Sequence, residues 1–423
     1  GAGIVVPPME NALHGRRIVL GVTGSIACFK AADLASKLVQ QGAAVDVILT
    51  DEAARFVTPL TFQALTHRPV ITDLFDPRAE TAMDHVALGL RAELIVICPA
   101  TAHTIARLSL GLADDALTTT VLAATAPLVI VPAMDAHMFQ HVTVQEHVQR
   151  LRSRGARIVG PVEGRMASGL VGKGRMSEVA EIIDHLRLVL GQAAGDLRGR
   201  TLVVTAGGTQ EPLDPVRVIT NRSSGKMGYA IAEAARDRGA RTALVTASTS
   251  LPDPVGVEVV RVGTAAEMRE AVLKASRGAD ALIMAAAVSD YRPVIPAAGQ
   301  KMKKGASQWV VELTQNPDIL TDVSGPRVKV GFAAETDDLI PNARRKLIEK
   351  SLDLIVANDV SAPDRVFGAD ETKVVIIDRG GAAEELPLLP KSAVARRILD
   401  RVAELLTRSR AAGSPTPQPD SSS

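Results

Sequence analysis

Thr205-Ala-Gly-Gly-Thr-Gln-Glu-Pro-Leu-Asp-Pro-Val-Arg-Val-Ile-Thr-Asn-Arg-Ser-Ser-Gly-Lys-Met-Gly228 is the stretch that decides the fold. It follows a short apolar run, Thr201 to Val204, bounded by turn residues, the pattern of a buried parallel strand. Gly207 and Gly208 permit a sharp turn that leaves peptide N–H groups uncovered. Ser223, Ser224, Gly225 and Lys226 then open an Ala-rich segment that reads as a helix. Peptide N–H groups and the helix dipole at such a start favour an anion, and Lys226 and Arg217 add full positive charges. A phosphorylated ligand is the expectation; a long surface loop of turn-forming residues is the plainer alternative. The Gly225-Lys226 pair is not a P-loop, because that motif needs Ser or Thr where Met227 stands and Gly where Thr220 stands.

Working outward, the chain divides into two halves that share one plan: a basic residue, an apolar β-rich run, and a Gly-rich turn into an Ala-rich helix. The expected fold class is α/β, with two Rossmann-like domains, 15–190 flavodoxin-like and 201–408 nucleotide-binding. A small-residue linker, 191–200, joins them, and the Gly/Ser/Pro-rich segment 409–423 reads as a disordered tail. In the first half the strand-like runs are Arg17–Val22, Val45–Leu49, Leu94–Cys98 and Pro127–Val131. The first is followed by Thr23, Gly24 and Ser25, the last placed to cap a helix from Ala27 to Gln40. Thr50, then Thr101, then Met134 and Asp135 follow the other three. Ligands of open parallel sheets bind outside such carboxyl ends, so these hydroxyls and amides suit a phosphorylated, planar cofactor. A flavin and a nicotinamide both fit that description; the G-x-G-x-x-G fingerprint of the second is absent.

Composition excludes several function classes. The 423 residues carry a formal charge of +1, giving no footprint for nucleic acid or a membrane surface. Aromatic residues make up only 2%, too few for a base-stacking platform. Cys28 and Cys98 lie in apolar surroundings without metal-ligand spacing, as expected of a reducing compartment. The run Val121 to Met134 is too short to cross a bilayer and contains Pro127 and Pro132, so a cytoplasmic location is expected.

The central stretch resembles, nearly residue for residue, the signature of phosphopantothenate–cysteine ligases. Gly21-Val-Thr-Gly-Ser-Ile-Ala, Thr50 with Phe56, Pro99-Ala-Thr-Ala, Pro132-Ala-Met and Gly172-Lys-Gly-Arg-Met are similar to the flavin-dependent cysteine decarboxylases. The ordered set, spanning nearly all of 15 to 408, resembles the bifunctional phosphopantothenoylcysteine decarboxylase/phosphopantothenate–cysteine ligase family. That resemblance implies ligation of 4′-phosphopantothenate to cysteine through an acyl-cytidylate made from CTP with Mg²⁺, then FMN-dependent decarboxylation to 4′-phosphopantetheine. The flavin oxidises the cysteine thiol so that carbon dioxide can leave, and a return reduction follows.

The resemblance also carries roles to single residues. His85 takes the place of the decarboxylase histidine; read alone, it would be a structural histidine. Asp135 stands where the family often has Asn, and Ser168 where the substrate clamp often has Cys. An ionised Asp135 would repel a substrate carboxylate unless protonated or turned to another partner, and a serine is a poorer acid and nucleophile than a thiol. Asn221 and Arg217 match residues that form and handle the acyl-cytidylate, and Lys301 the amide-forming lysine of the flap Lys301-Met302-Lys303-Lys304. Gly207, Gly208, Ser224, Gly225, Lys226, Ala286, Lys303, Lys304, Phe332 and Asn358 are expected around CTP, with Asp290 as the Mg²⁺–triphosphate partner. Read without the family, the flap lysines form a solvated loop, and Asn358 reads a base edge or stabilises a turn. A flavin half of altered specificity, or one that is a silent FMN-binding assembly module, is the alternative. Trimeric flavin domains and dimeric ligase domains, together a dodecamer, are implied by the resemblance alone.

Overall fold

A computed structural model describes residues 11–73, 84–294, 310–335, 338–359 and 369–412. The chain divides into two compact units, with the break between Ala193 and Ala194.

In the N-terminal unit the strands are β1 (Arg17–Val22), β2 (Ala44–Leu49), β3 (Val70–Ile71), β4 (Leu94–Ala100), β5 (Leu128–Pro132) and β6 (Arg157–Ile158). They pair in the order β3-β2-β1-β4-β5-β6, and every pairing is parallel. Ile18, Leu20, Val22, Leu94, Val96 and Cys98 face one core; Val19, Ile95 and Ile97 face another. A strand buried on both faces needs an unbroken apolar run, which is why these segments do not alternate. Helix Cys28–Gln40 covers one face with Ala31, Leu34, Ala35 and Leu38, the spacing of a single helical stripe. It starts one residue later than the expected Ala27, and Ser25 does not cap it. The Ser25 hydroxyl accepts from the Ala27 N–H at 3.2 Å, closing a local turn ahead of the helix. After β6 the chain forms an antiparallel hairpin, β7 (Val162–Arg165) and β8 (Val171–Arg175).

In the C-terminal unit, chain order gives β9 (Thr201–Ala206), the hairpin β10 (Gln210–Pro212) and β11 (Val218–Thr220), then β12 (Arg241–Thr246), β13 (Glu258–Arg261) and β14 (Ala281–Met284). There follow β15 (Tyr291–Pro293), β16 (Leu313–Gln315), β17 (Val328–Glu335), β18 (Leu354–Asp359), β19 (Glu371–Thr372), β20 (Val374–Asp378), β21 (Ala383–Glu385) and β22 (Leu389–Pro390). The main sheet runs β13-β12-β9-β14-β17-β18-β20-β21, parallel as far as β18 and antiparallel beyond it. Helices Lys226–Asp237 and Lys391–Ala412 pack together through Tyr229, Ala232, Val394, Ile398 and Val402. The second helix runs to Ala412, into the segment 409–423 expected as a tail; the rest of that segment, 413–423, lies outside the described residues. Both sheets are doubly wound, and in each the strand order reverses beside the first strand, at β1/β4 and at β9/β14. Those reversals open a crevice at the carboxyl ends. Among the described residues, no helix is long and apolar enough to cross a membrane.

Candidate functional site

Thr23 spans the reversal in the N-terminal unit. Its buried hydroxyl donates to the Pro99 carbonyl at 2.8 Å and accepts from the Thr101 N–H at 3.1 Å, tying the loop after β1 to the end of β4. Thr101 caps helix Ala102–Leu110 by accepting from the Thr104 N–H, and Thr50 caps the turn Asp51–Ala54 by accepting from the Ala53 N–H. Gly24 is there for close approach, since a Cβ on it would come within 2.4 Å of Glu52 Cβ. Gly24, Ser25, Thr50, Thr101 and Met134 therefore follow the carboxyl ends of four adjacent strands, β2, β1, β4 and β5. Three hydroxyls and loop peptide groups, with no carboxylate among the five, form a donor set that fits a flavin phosphate and ring. Thr23 was missed as a site residue from sequence, because a lone threonine carries no signal of a bond to a strand distant in the chain.

The β7–β8 hairpin lies against the end of β5. Met134 N–H donates to the Gly174 carbonyl at 3.1 Å, and a Cβ on Gly174 would sit 2.3 Å from the Met134 carbonyl oxygen. This docking brings the two departures from the family pattern together. The Ser168 hydroxyl donates to Asp135 Oδ2 at 2.7 Å, while Asp135 Oδ1 accepts from the His137 N–H at 3.0 Å and caps helix Ala136–Gln140. The Ser168 hydroxyl first, then that peptide N–H, hold the Asp135 carboxyl below the usual carboxylate range. It is ionised and turned to other partners. His85 falls in helix Asp84–Arg91, its side chain outside what the structure describes. Burial pushes both thiols, Cys28 and Cys98, up, which leaves them unreactive.

In the C-terminal unit a cleft of about 710 Å³ opens at the carboxyl ends of β14, β17 and β18 and the start of helix Lys226–Asp237. It gathers Asn221, Ser224, Gly225, Lys226, Ala286, Asp290, Phe332 and Asn358, which sequence distributes over nearly 140 positions. Gly225 caps the helix with φ +75°, a conformation that only glycine adopts cheaply. The Asn221 amide donates to the Val288 carbonyl at 3.1 Å, and the Ala286 N–H donates to the Thr205 hydroxyl at 3.0 Å. Asn316, not singled out from sequence, braces the same wall: its amide donates to the Ser289 carbonyl, and its N–H to the Asp290 carbonyl at 2.7 Å. Lys346 and Lys350, also new to the site, line the cleft from one stretch; their i, i+4 spacing was the available signal.

Three expected residues stand elsewhere. Gly207 and Gly208 are buried and absent from the cleft wall. Gly208 bridges to Ser248 and Ala287, so this turn brings backbones together at the β9/β14 reversal. Arg217 is also outside the wall, on the β10–β11 hairpin, where its Nε lies 3.7 Å from the buried Asp214. Lys301, Lys303 and Lys304 lie outside the described residues. Asp290 is exposed at the cleft, and among the described residues no group of three acidic, histidine or cysteine side chains could hold a metal alone. A site with fewer than three such side chains fits Mg²⁺ as an ion that takes its other ligands from substrate phosphates and water.

Two family models match the chain: Flavoprotein over residues 8–191, and DNA/pantothenate metabolism flavoprotein C-terminal domain over 197–406. The Coenzyme A biosynthesis bifunctional protein CoaBC of Bacillus subtilis (strain 168) is 45% identical over 398 residues, covering 93% of this chain and 98% of its own. The chain belongs to this family. The protein of the same name from Escherichia coli (strain K12) is 43% identical over 405 residues, 94% of this chain and 98% of its own. A solved C-terminal domain of a CoaBC protein is 39% identical, covers 51% of this chain and all of its own, and gives a TM-score of 0.44. This family member is thus a bifunctional enzyme of coenzyme A biosynthesis, with a flavoprotein decarboxylase half and a C-terminal ligase half.

Proposed function

We propose that the C-terminal unit joins 4′-phosphopantothenate to cysteine at the expense of CTP, and that the N-terminal unit decarboxylates the product with FMN to give 4′-phosphopantetheine. The observation that carries the reading is the single cleft that collects Asn221, the Ser224–Lys226 loop, Asp290, Phe332 and Asn358.

A carboxylate is a poor acyl donor, so its oxygen must first attack the α-phosphorus of CTP, breaking the α–β anhydride and releasing pyrophosphate. The cysteine amine then attacks the acyl carbon, the carbon–oxygen bond to CMP breaks, and the amine gives up a proton. Ser224, Gly225 and Lys226 at the helix start stabilise phosphate charge. Asp290 shares a Mg²⁺ with the triphosphate, Phe332 and Asn358 flank the cytidine, and Asn221 orients the acyl phosphate. Arg217, off the cleft of its own chain, serves the cleft of a second copy in the dimer that the resemblance implies.

In the N-terminal unit, Gly24, Ser25, Thr50, Thr101 and Met134 would hold FMN at the β1/β4 reversal. Bound there, FMN supplies the two-electron oxidation of the substrate thiol that permits loss of carbon dioxide, and the return reduction. His85 handles the substrate carboxylate or thiol proton. Ser168 and Asp135 tie the hairpin over the site, and Ser168 is the hydroxyl available as a proton donor.

Mass spectrometry of one reaction containing 4′-phosphopantothenate, cysteine, CTP and Mg²⁺ tests both halves. Accumulation of 4′-phosphopantetheine is expected. Stalling at phosphopantothenoylcysteine would remove the decarboxylase reading and leave the ligase. A product two hydrogens short of phosphopantetheine would place the failure at Ser168.

A further inference from the structure

Two strands too short to shape a sheet place one more cation at the ligase cleft. β19 pairs with β22 so that Glu371 faces Pro390 and Thr372 faces Leu389. The residue before the first strand, Asp370, is thereby brought opposite the residue after the second, Lys391. The Lys391 N–H donates to the Asp370 carbonyl at 2.9 Å, and its ammonium donates to the Ala369 carbonyl at 2.5 Å. Lys391 is half-buried and lines the same cleft as Lys226.

Each of these lysines is the first residue of a helix, Lys391–Ala412 and Lys226–Asp237, and the two helices share one core. Both lysines line the cleft from these helix starts, where the helix dipole favours an anion. An anion already stands there. Asp370 Oδ1 accepts from the Lys226 ammonium at 2.7 Å, although the Asp370 side chain is 88% exposed. Burial, then repulsion from Lys226, pull the Lys391 ammonium below its ordinary range, and Asp370 only partly offsets this. Two cations on separate helices thus line one cleft, and the exposed Asp370 carboxylate reaches from a loop to one of them.

We infer that Lys391 is a second phosphate-binding residue of this cleft, acting with Lys226 on the polyphosphate of the nucleotide, and that the Asp370 carboxylate holds the place of that polyphosphate until it binds. The inference rests on the ligase reading above. A polyphosphate brings several charges to a pair of charge-assisted donors, whereas a side-chain carboxylate brings one. Displacing Asp370 costs little because its other face is already in water.

The test uses the full chain and the variants Lys391→Ala, Lys391→Met and Asp370→Asn. Binding of inorganic pyrophosphate is followed by calorimetry, alongside the KM values for CTP, 4′-phosphopantothenate and cysteine. Both lysine variants should weaken pyrophosphate and raise the KM for CTP by roughly tenfold, the loss of one charge-assisted bond, with the other two KM values within about twofold. Lys391→Met keeps the half-buried aliphatic stem, so it decides the matter should Lys391→Ala unfold. Asp370→Asn should tighten pyrophosphate about two- to threefold. Unchanged pyrophosphate affinity in Lys391→Met, a rise confined to the phosphopantothenate KM, or weaker binding in Asp370→Asn would each overturn the inference. Failure of the wild type to make phosphopantothenoylcysteine from CTP would instead remove the ligase reading, while the pyrophosphate titration would still decide the role of Lys391.

Discussion

The Ser168 hydroxyl donates to Asp135 Oδ2 at 2.7 Å, so the two residues by which this chain departs from its family's decarboxylase pattern are bonded to each other. The two positions that the resemblance marks as departures therefore act as one bonded pair. A carboxylate is an acceptor only, and it gains a donor that matches it. Ser168→Ala should free the hairpin tip, raising the rate of proteolytic cleavage between Arg165 and Leu170, while leaving the cap on helix Ala136–Gln140 in place. Asp135→Ala should free the tip and lose the helix cap as well. Limited proteolysis with thermal denaturation separates them; identical cleavage of wild type and Ser168→Ala would show that the bond does not hold the hairpin.

The same bond sets a pH dependence. The unfolded Asp135 carboxyl titrates near the ordinary value of about 3.9, and in the folded chain Ser168 and the His137 N–H lower it. The stabilisation is thus fully present above the unfolded value and is lost as pH falls through the lowered one. Hairpin cleavage by an acid-tolerant protease should stay flat from pH 8 to about 5 and rise only below about 4. Asp135→Asn cannot titrate and should show no such rise; an inflection of the wild type near neutral pH would contradict the assignment.

How much of this was legible in sequence divides along physical lines. Apolar runs such as Ile18–Val22 and Leu202–Val204 report burial on two faces, so the parallel strands and both doubly wound sheets could be read directly. The Gly225–Lys226 helix start was also legible, because glycine at positive φ and a following amphipathic pattern are local facts. Pairings between distant segments were not. Asn316 on the Asp290 loop, Asp370 on Lys226 and Ser168 on Asp135 each depend on where separate loops arrive, which no local period encodes. For the same reason the burial of Gly207 and Gly208, and the bridges of Gly208 to Ser248 and Ala287, could not be read from the turn itself.

Thr23→Val tests the tie across the β1/β4 reversal. The substitution keeps shape and removes a hydroxyl that bonds both the Pro99 carbonyl and the Thr101 N–H. It leaves two polar groups short of a partner, at a cost of about 1 to 3 kcal/mol. Flavin content, read as the 450 nm to 280 nm absorbance ratio of purified protein, should fall severalfold, and Thr23→Ser should restore most of it. Full flavin content in Thr23→Val would detach Thr23 from the cofactor site.

Gly228→Ala addresses the ligase unit through packing alone. A Cβ there would lie 2.5 Å from the Thr205 carbonyl oxygen and 2.6 Å from Ala206 Cβ, both on β9. Backbone cannot yield as a side-chain tip can, so helix Lys226–Asp237 must move off the strand, at about 2 to 3 kcal/mol for an overpacked core. The shift carries Gly225 and Lys226 with it, since both sit at the start of that helix. Ligase turnover and CTP affinity should therefore fall by at least about tenfold, while decarboxylation of supplied phosphopantothenoylcysteine by the same protein is unchanged. Thermal denaturation should show a lowered transition for the C-terminal unit; an unshifted transition with wild-type ligase kinetics would mean that the helix does not need this close approach to β9.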